Sequence, residues 1–264
     1  MKFMTGGLAA LLILTASIAN AQQVRVTVEN LQPGDGYYLT PLWVGFHDGS
    51  FDFFDVNTTS SASLEALAEG GDASGISGDF AAASTGTDAV ITSPGGFAGA
   101  PVIDPGEVAS AIIDVNAGMT NQYFSYASMI IPSNDGFIGN DIANAIQVFD
   151  SNGDFNGPIL IELFGANVWD AGTEENDGLG AAFSATPGTD TTESLLVRIH
   201  PGLNDTFLGT DTVAGTTIGA SLDAATPLAT ISITAVPEPT SIGLLGISAL
   251  LGIAFIRRRR PAAN

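Results

Sequence analysis

The sequence predicts an antiparallel β-sandwich, and three observations favour that all-β fold class. Short alternating or β-branched apolar runs recur along the chain, and Gly, Ser, Thr and Asn are concentrated between them. Hydrophobic residues make up 45% of the chain, which is enough for a packed core. Loop signals at residues 32–36, 93–96, 104–106 and 151–153 interrupt the apolar runs often, as is typical of all-β domains.

Six runs have the composition of strands, and one segment has the signals of a helix. The strands are predicted at residues 24–28, 111–115, 123–131, 158–164, 195–199 and 228–234. The helix is predicted at residues 62–69, because Ser61 or Ser63 can cap its start and Gly70 and Gly71 can end it. We expect this helix to serve packing.

The first 21 residues have the three parts of a secretory signal peptide. Lys2 gives a charged start, residues 8–14 are apolar, and Ala19 and Ala21 supply the small residues that signal peptidase needs. We therefore expect a short signal helix, export across the inner membrane and cleavage after Ala21.

The last 28 residues form a second processing segment. A Pro-Glu-Pro triplet at 237–239 precedes an uncharged apolar stretch at 242–256, and four arginines follow at 257–260. This order resembles the PEP-CTERM sorting signal of Gram-negative bacteria that make extracellular polysaccharide. The resemblance implies that an exosortase cuts the tail, so that its apolar helix contacts the inner membrane only transiently. The expected location is the cell surface or the extracellular matrix.

A plain single-pass anchor is the alternative for this tail. A helix over residues 242–256 would reach about 22 Å, which is short of a hydrocarbon core of about 30 Å. The terminal arginines would stay in the cytoplasm by the positive-inside rule, so the domain would face outward in either case.

The region between the two ends is strongly acidic. It holds 27 of the chain's 28 acidic residues against only Arg25 and Arg198, and it contains no lysine. Such a charge repels nucleic acid and anionic lipid, and it attracts cations. Composition leaves two interpretations open, namely metal binding and a solubilising surface. The sequence has no cysteine, so disulfides cannot stabilise the fold.

Three loops are rich in the oxygen-bearing side chains that a hard cation prefers. They lie at residues 132–136, 150–157 and 169–177. Ca²⁺ takes about six to eight oxygen ligands, which loops of Asp, Asn and Gly can supply. The middle loop imitates an EF-hand, but Phe155 stands where the sharp turn needs Gly and Glu162 comes one position late. We interpret this middle loop as a hairpin turn.

The first and third loops belong to a longer pattern. Residues 126–139 read Tyr-Ala-Ser-Met-Ile-Ile-Pro-Ser-Asn-Asp-Gly-Phe-Ile-Gly, and residues 168–174 read Val-Trp-Asp-Ala-Gly-Thr-Glu. Together with residues 42–47 and 64–70, they resemble the spondin domain of F-spondin and mindin over most of residues 24 to 200. The resemblance implies an eight-stranded antiparallel β-sandwich with one or two short helices, and one Ca²⁺ held by acidic loops.

The same resemblance implies the metal ligands. Carried over by position, they are Asp135, Asp170 directly after Trp169, and Glu174 four residues later. The family commonly has Asp at the last position, yet bidentate ligation by the longer Glu is feasible. A solvated acidic turn is the alternative for Asp170 and Glu174. Animal spondin domains carry disulfides and this chain has none, so their receptor binding is not carried over.

Catalysis is not expected. His47 and His200 are the only imidazoles, and the sequence has neither a Cys nucleophile nor a Gly-x-Ser-x-Gly elbow. His47 lies in an aromatic-rich run, which favours a hydrogen-bonded structural histidine. Trp43 and Trp169 could stack on sugars, but in a sandwich they are more often core residues.

The predicted organisation has four parts. They are a signal peptide (1–21), a spondin-like sandwich (22–210), a final strand and linker (211–236) and a sorting segment (237–264). We expect an exported calcium-binding protein with an adhesive or structural role, whose partners are extracellular polysaccharide or cell-surface components rather than nucleic acid. The alternatives are a structural envelope or biofilm component without a ligand, and a polysaccharide-active enzyme.

Overall fold

Two antiparallel β-sheets dominate the computed structural model, which describes residues 21–237 except 94, 96, 98, 99, 117 and 118. The strands are β1 (Ala21–Asn30), β2 (Tyr38–Leu39), β3 (Leu42–His47), β4 (Thr87–Ile91), β5 (Val108–Asn116), β6 (Tyr123–Ile131), β7 (Gly136–Gly139), β8 (Ile159–Phe164), β9 (Val168–Asp170), β10 (Arg198–Ile199) and β11 (Pro227–Ala235). The helices are α1 (Ala62–Gly70), α2 (Ser74–Ala83) and α3 (Asn204–Phe207), with 3-10 turns at Met119–Asn121 and Gly165–Asn167.

The strand orders define a four-stranded and a seven-stranded sheet. The first sheet has the order β5-β1-β11-β8, and the second has the order β10-β9-β7-β6-β3-β4, with β2 paired to β6. Alternate residues of β1, including Val24, Val26 and Val28, pack in one core cluster with Phe46 of β3 and Phe124 of β6. This period of two places the main core between the sheets.

The other face of the second sheet is covered by α1 and α2. Trp43 of β3 packs there in a second core cluster with Leu67 of α1 and Phe80 of α2, and the Trp43 and Phe80 ring centroids are 5.6 Å apart. All six residues of β3 are therefore buried. The predicted helix ends are confirmed, since the Ser61 side chain accepts a hydrogen bond from a first-turn N–H and Gly71 follows the helix in the left-handed conformation.

The predicted all-β class is confirmed, with antiparallel sheets and few short helices, but the strand count of eight is corrected. The described residues form eleven strands, of which β2, β9 and β10 have only two or three residues each. The run predicted as a strand at 195–199 is a strand only at Arg198–Ile199. Short pairs of this kind are set by neighbouring segments, so they leave little periodicity in the sequence.

Several predictions concern the ends of the chain. The predicted signal helix and the predicted apolar helix at 242–256 lie outside the described residues. Within 21–237, no described helix has the length and apolar character needed to cross a membrane. β11 lies inside the segment predicted as final strand and linker, and it pairs with both β1 and β8. The domain boundaries at 210 and 236 stay predictions.

The sandwich has two distinct ends. Asn30, the last residue of β1, donates from Nδ2 to the carbonyl before β2 at 3.0 Å, and Tyr38 of β2 pairs with Ile131, the last residue of β6. The turn that follows β6 therefore lies at the end of the sandwich where β1 stops. β1 starts and β11 stops at the opposite end, where Val24 pairs with Ala235.

Candidate metal centre

The turn between β6 and β7 positions Asp135. The Ser133 hydroxyl donates to the carbonyl of Ile130 at 2.5 Å and accepts the N–H of Gly136 at 3.0 Å. These two hydrogen bonds close the turn, and the Asp135 carbonyl accepts the N–H of Ala171 at 3.2 Å. The Asp135 side chain is consequently fixed at the junction of β7 and β9, where the residue is fully buried.

Three carboxylates meet at this junction. One oxygen each of Asp135, Asp170 and Glu193 lies within 4.8 Å of the others. The β7–β9 pair places Gly136 opposite Asp170, which brings the first two side chains together. Glu193 belongs to a segment farther along the chain. Its N–H donates to the carbonyl of Thr173 at 2.8 Å, and this bond holds the segment beside the junction. We call Asp135, Asp170 and Glu193 the carboxylate cluster.

Asp135 has one satisfied and one unsatisfied oxygen. Its Oδ2 accepts the N–H groups of Thr173 at 2.8 Å and Glu174 at 3.2 Å. Its Oδ1 is buried and has no hydrogen-bond donor among the described residues. Burial, and then the charge of Asp170, raise the pKa of Asp135 to about 6. A bound cation would satisfy this oxygen and neutralise the charge, so the residues present fit a metal ion.

Asp170 is surrounded by donors. Its Oδ1 accepts the N–H of Gly172 at 2.8 Å, and its Oδ2 accepts the Asn176 amide at 3.0 Å. Arg198 donates to Oδ2 from Nη2 at 2.9 Å and from Nε at 3.1 Å, and its Nη2 also lies 3.4 Å from Oε1 of Glu193. Arg198 therefore neutralises part of the carboxylate cluster.

A relay from His200 holds the Asn176 amide. Gly202 donates its N–H to Nδ1 of His200 at 3.0 Å, so Nε2 carries the ring proton and donates to Oδ1 of Asn176 at 2.8 Å. Burial lowers the pKa of His200 to about 4, with Arg198 acting in the same direction and Asp170 against it. The neutral ring therefore orients Asn176, whose amide in turn orients Asp170.

Glu174 lies beside the carboxylate cluster, and its carboxylate has other neighbours. Its Oε2 is 3.5 Å from the Asn134 amide. Burial, followed by the nearby Glu69 and Asp190, raises the pKa of Glu174 to about 8. The structure thus brings Asp135 and Asp170 together and places Glu193 with them. Ligation by Glu174 stays a prediction.

Glu193 is not among the ligands predicted from the sequence. It stands far along the chain from the other two acids, in a stretch without a recognisable motif. Backbone hydrogen bonds between residues 172–175 and 191–195 create the proximity. Glu193 also lines a polar cavity of about 230 Å³ with residues that include Ser60, Glu65 and Thr173.

A known family model matches the part of the chain that contains this site. The Spondin_N model matches residues 33–206, about two thirds of the chain, and this range includes the carboxylate cluster. The chain belongs to the spondin family. β1 and β11 of the spondin sandwich lie outside the matched range, although they form the centre of its first sheet. No curated protein matches the chain.

The tail matches a second family model. The PEP-CTERM protein-sorting motif covers residues 235–260. The motif implies export, sorting to the cell surface and processing of the tail by an exosortase. The predicted sorting signal is therefore confirmed for this spondin-domain protein.

The EF-hand-like loop of the spondin domain is a hairpin turn, as predicted. Oδ1 of Asp150 accepts the N–H groups of Asn152 at 2.8 Å and Asp154 at 2.9 Å, and Phe149 pairs with Phe155. The carboxylate thus closes its own loop as an Asx-turn does.

The remaining candidate residues serve packing or local hydrogen bonding. His47 is fully buried, its Nδ1 accepts the N–H of Gly49 and its Nε2 bonds to Ser125 at 2.9 Å, as expected for a structural histidine. Burial lowers the pKa of His47. Trp43 is fully buried, and Trp169 packs partly buried against the same core cluster. Both tryptophans contribute to packing, as predicted.

Proposed function

We propose that this surface-sorted spondin protein binds one Ca²⁺ at the carboxylate cluster and acts as an adhesive or structural component of the cell surface or extracellular matrix. The observation that carries the calcium proposal is the buried Asp135 oxygen, which lacks a donor among the described residues while two further carboxylates stand beside it. Buried polar atoms without partners are rare in proteins, and a cation is a common reason for one.

The donor set suits a hard cation. Asp135, Asp170 and Glu193 would hold the ion with carboxylate oxygens, which Ca²⁺ prefers over the nitrogen and sulfur ligands that transition metals favour. Glu174 is the further candidate ligand, because its backbone N–H already binds Asp135. The bound ion would supply positive charge that ties the β6–β7 turn, the end of β9 and the segment around Glu193 together.

The adhesive role follows from location, charge and family. The sorting motif directs the protein to the surface, where extracellular polysaccharide and cell-surface components are the available partners. The acidic domain is unsuited to nucleic acid. We propose a non-catalytic role because both histidines accept a backbone N–H at Nδ1 and are buried. A structural envelope or biofilm component without a ligand is the alternative.

Calorimetric titration of the chelator-treated protein with Ca²⁺ tests the metal proposal. We expect a saturable heat and a rise in melting temperature, because an ion that binds only the folded state stabilises it. Asp135→Asn and Asp170→Asn should each remove both signals. Asp150→Asn, which changes an acid in the hairpin turn, should keep them. An absence of heat and of stabilisation in the unaltered protein would refute calcium binding.

A binding assay separates the adhesive role from the alternative. The purified protein is titrated onto the producer's own exopolysaccharide, with Ca²⁺ and with chelator. Retention that depends on Ca²⁺ supports the adhesive role. Calcium binding without any retention on polysaccharide or on whole cells favours the purely structural role.

A further inference from the structure

Arg198 lies against the carboxylate cluster. Its guanidinium contacts two members of the carboxylate cluster, Asp170 and Glu193. Arg25 is the other arginine of the acidic region, and it lies on the first sheet beside Ser110. Arg198 is therefore the nearest positive charge for three carboxylates that would otherwise repel one another.

A count of acceptor sites shows that Oδ2 of Asp170 has none to spare. A carboxylate offers about four lone-pair sites. Oδ2 of Asp170 receives three donor groups, one from Asn176 and two from Arg198, whereas Oδ1 receives only the N–H of Gly172. Asp135 has a buried oxygen without a donor among the described residues. Oδ1 of Asp135 is thus ready for an ion, whereas Oδ2 of Asp170 can bind one only after it releases a donor.

Among these donors, Arg198 is the one that can leave. Gly172 is held in its turn, since its carbonyl accepts the N–H of Leu195 at 2.8 Å. Asn176 is held by His200. The Arg198 side chain is 40% exposed, is long and flexible, and carries the charge that an incoming dication would repel.

We propose that Arg198 is an internal counter-ion that stabilises the metal-free carboxylate cluster and is displaced from Asp170 when a divalent cation binds. This inference rests on the proposed calcium site and adds its regulation. Because the arginine competes with the ion for the same carboxylates, it weakens the affinity of the site. The site then fills only where the cation is abundant, while in the metal-free protein the buried charge of Asp170 stays paired.

Arginine-selective modification of the full-length protein tests the displacement directly. The protein is treated with phenylglyoxal in chelator or in saturating Ca²⁺, and the adducts are located by peptide mass spectrometry. We expect Ca²⁺ to raise the modification rate of Arg198 several-fold and to leave that of Arg25 unchanged. An Arg198 rate that stays constant or falls while calorimetry shows Ca²⁺ bound overturns the displacement and leaves the calcium site standing. Absence of Ca²⁺ binding by calorimetry overturns both.

Arg198→Gln gives a second readout. Without the competing charge, Ca²⁺ should bind on the order of tenfold more tightly, as expected for loss of a charged hydrogen bond. The matched variant Arg25→Gln should bind as the unaltered protein does. Equal or weaker affinity of Arg198→Gln would contradict competition. If this variant folds poorly without metal, the modification rates in the unaltered protein still decide the question.

Discussion

Arg198 and Asp170 are joined twice, through the β9–β10 backbone pair and through two guanidinium N–H groups that reach Oδ2 of Asp170 at 2.9 and 3.1 Å. The backbone pair fixes where the guanidinium starts, and the side chain bonds can break without loss of the strand. The same two residues can therefore form an ion pair in one state and separate in another.

Replacing Asp135 by Asn should raise the stability of the metal-free protein and abolish metal binding. An amide NH2 in the place of the unpaired Oδ1 can donate to a neighbouring carboxylate of the cluster, and the substitution removes a buried charge. We expect Asp135→Asn to stabilise the chelated protein by about 1–3 kcal/mol in urea denaturation and to lose the response to Ca²⁺. Asp150→Asn is the control and should change neither quantity. A destabilised Asp135→Asn that still responds to Ca²⁺ would contradict the site assignment.

The stability of the chelated protein should depend on the ionisation of Asp135. The pKa of this acid is raised from 3.8 to about 6, so the folded state holds the proton more tightly, and Asp135 costs stability as pH rises from about 4 to about 6. The lowered pKa of His200 acts in the opposite sense over a similar range. The measurement is therefore the difference in unfolding free energy between Asp135→Asn and the unaltered protein. This difference should grow with pH in this window. A difference that is constant with pH would contradict it.

Calcium affinity should follow the same ionisation. Protons compete with Ca²⁺ for Asp135, so the affinity measured by titration calorimetry should rise as pH increases from about 5 to about 7. The raised pKa of Glu174, about 8, would extend this rise toward pH 8 if that side chain also binds the ion. A Glu174→Gln variant distinguishes the two cases, because it should remove only the upper part of the rise.

Asn176 is predicted to support the site without binding the ion. Asn176→Ala would leave the ring N–H of His200 and one contact of Asp170 without their partner. We expect a loss of about 1–3 kcal/mol in urea denaturation and weaker Ca²⁺ binding. Asn152→Ala, in the exposed hairpin turn, removes a comparable amide bond and should cost less than about 1 kcal/mol. Equal effects of the two variants would argue against the relay.

The packing of α1 on the second sheet gives a further test. Leu67 is fully buried in the second core cluster, so Leu67→Ala should cost about 2–5 kcal/mol of unfolding free energy. Leu160 on β8 is 62% exposed, and Leu160→Ala should cost less than about 0.5 kcal/mol. Urea denaturation of both variants checks the assignment, and similar costs would contradict it.

Local features were predictable from the sequence, and long-range ones were not. Ser61 and Gly71 determine the ends of α1 by contacts within a few residues, so their residue types were sufficient. The family resemblance selected Asp135 and Asp170 because both stand in recognisable loops. Glu193 reaches them only through hydrogen bonds between two distant segments, which no local pattern encodes. The scarcity of basic residues among so many acidic ones was the one signal that could have drawn attention to Arg198.

The sorting motif and the carboxylate cluster lie at opposite ends of the sandwich. β11 stops at Ala235, and the sorting motif begins at that residue, whereas the turn with Asp135 follows the far end of β6. The nine residues of β6 span about 30 Å. We therefore expect a chain that is still held by its tail to keep the carboxylate cluster at the end of the sandwich away from the membrane. Ions and partners on the outer side could reach it before the exosortase releases the protein.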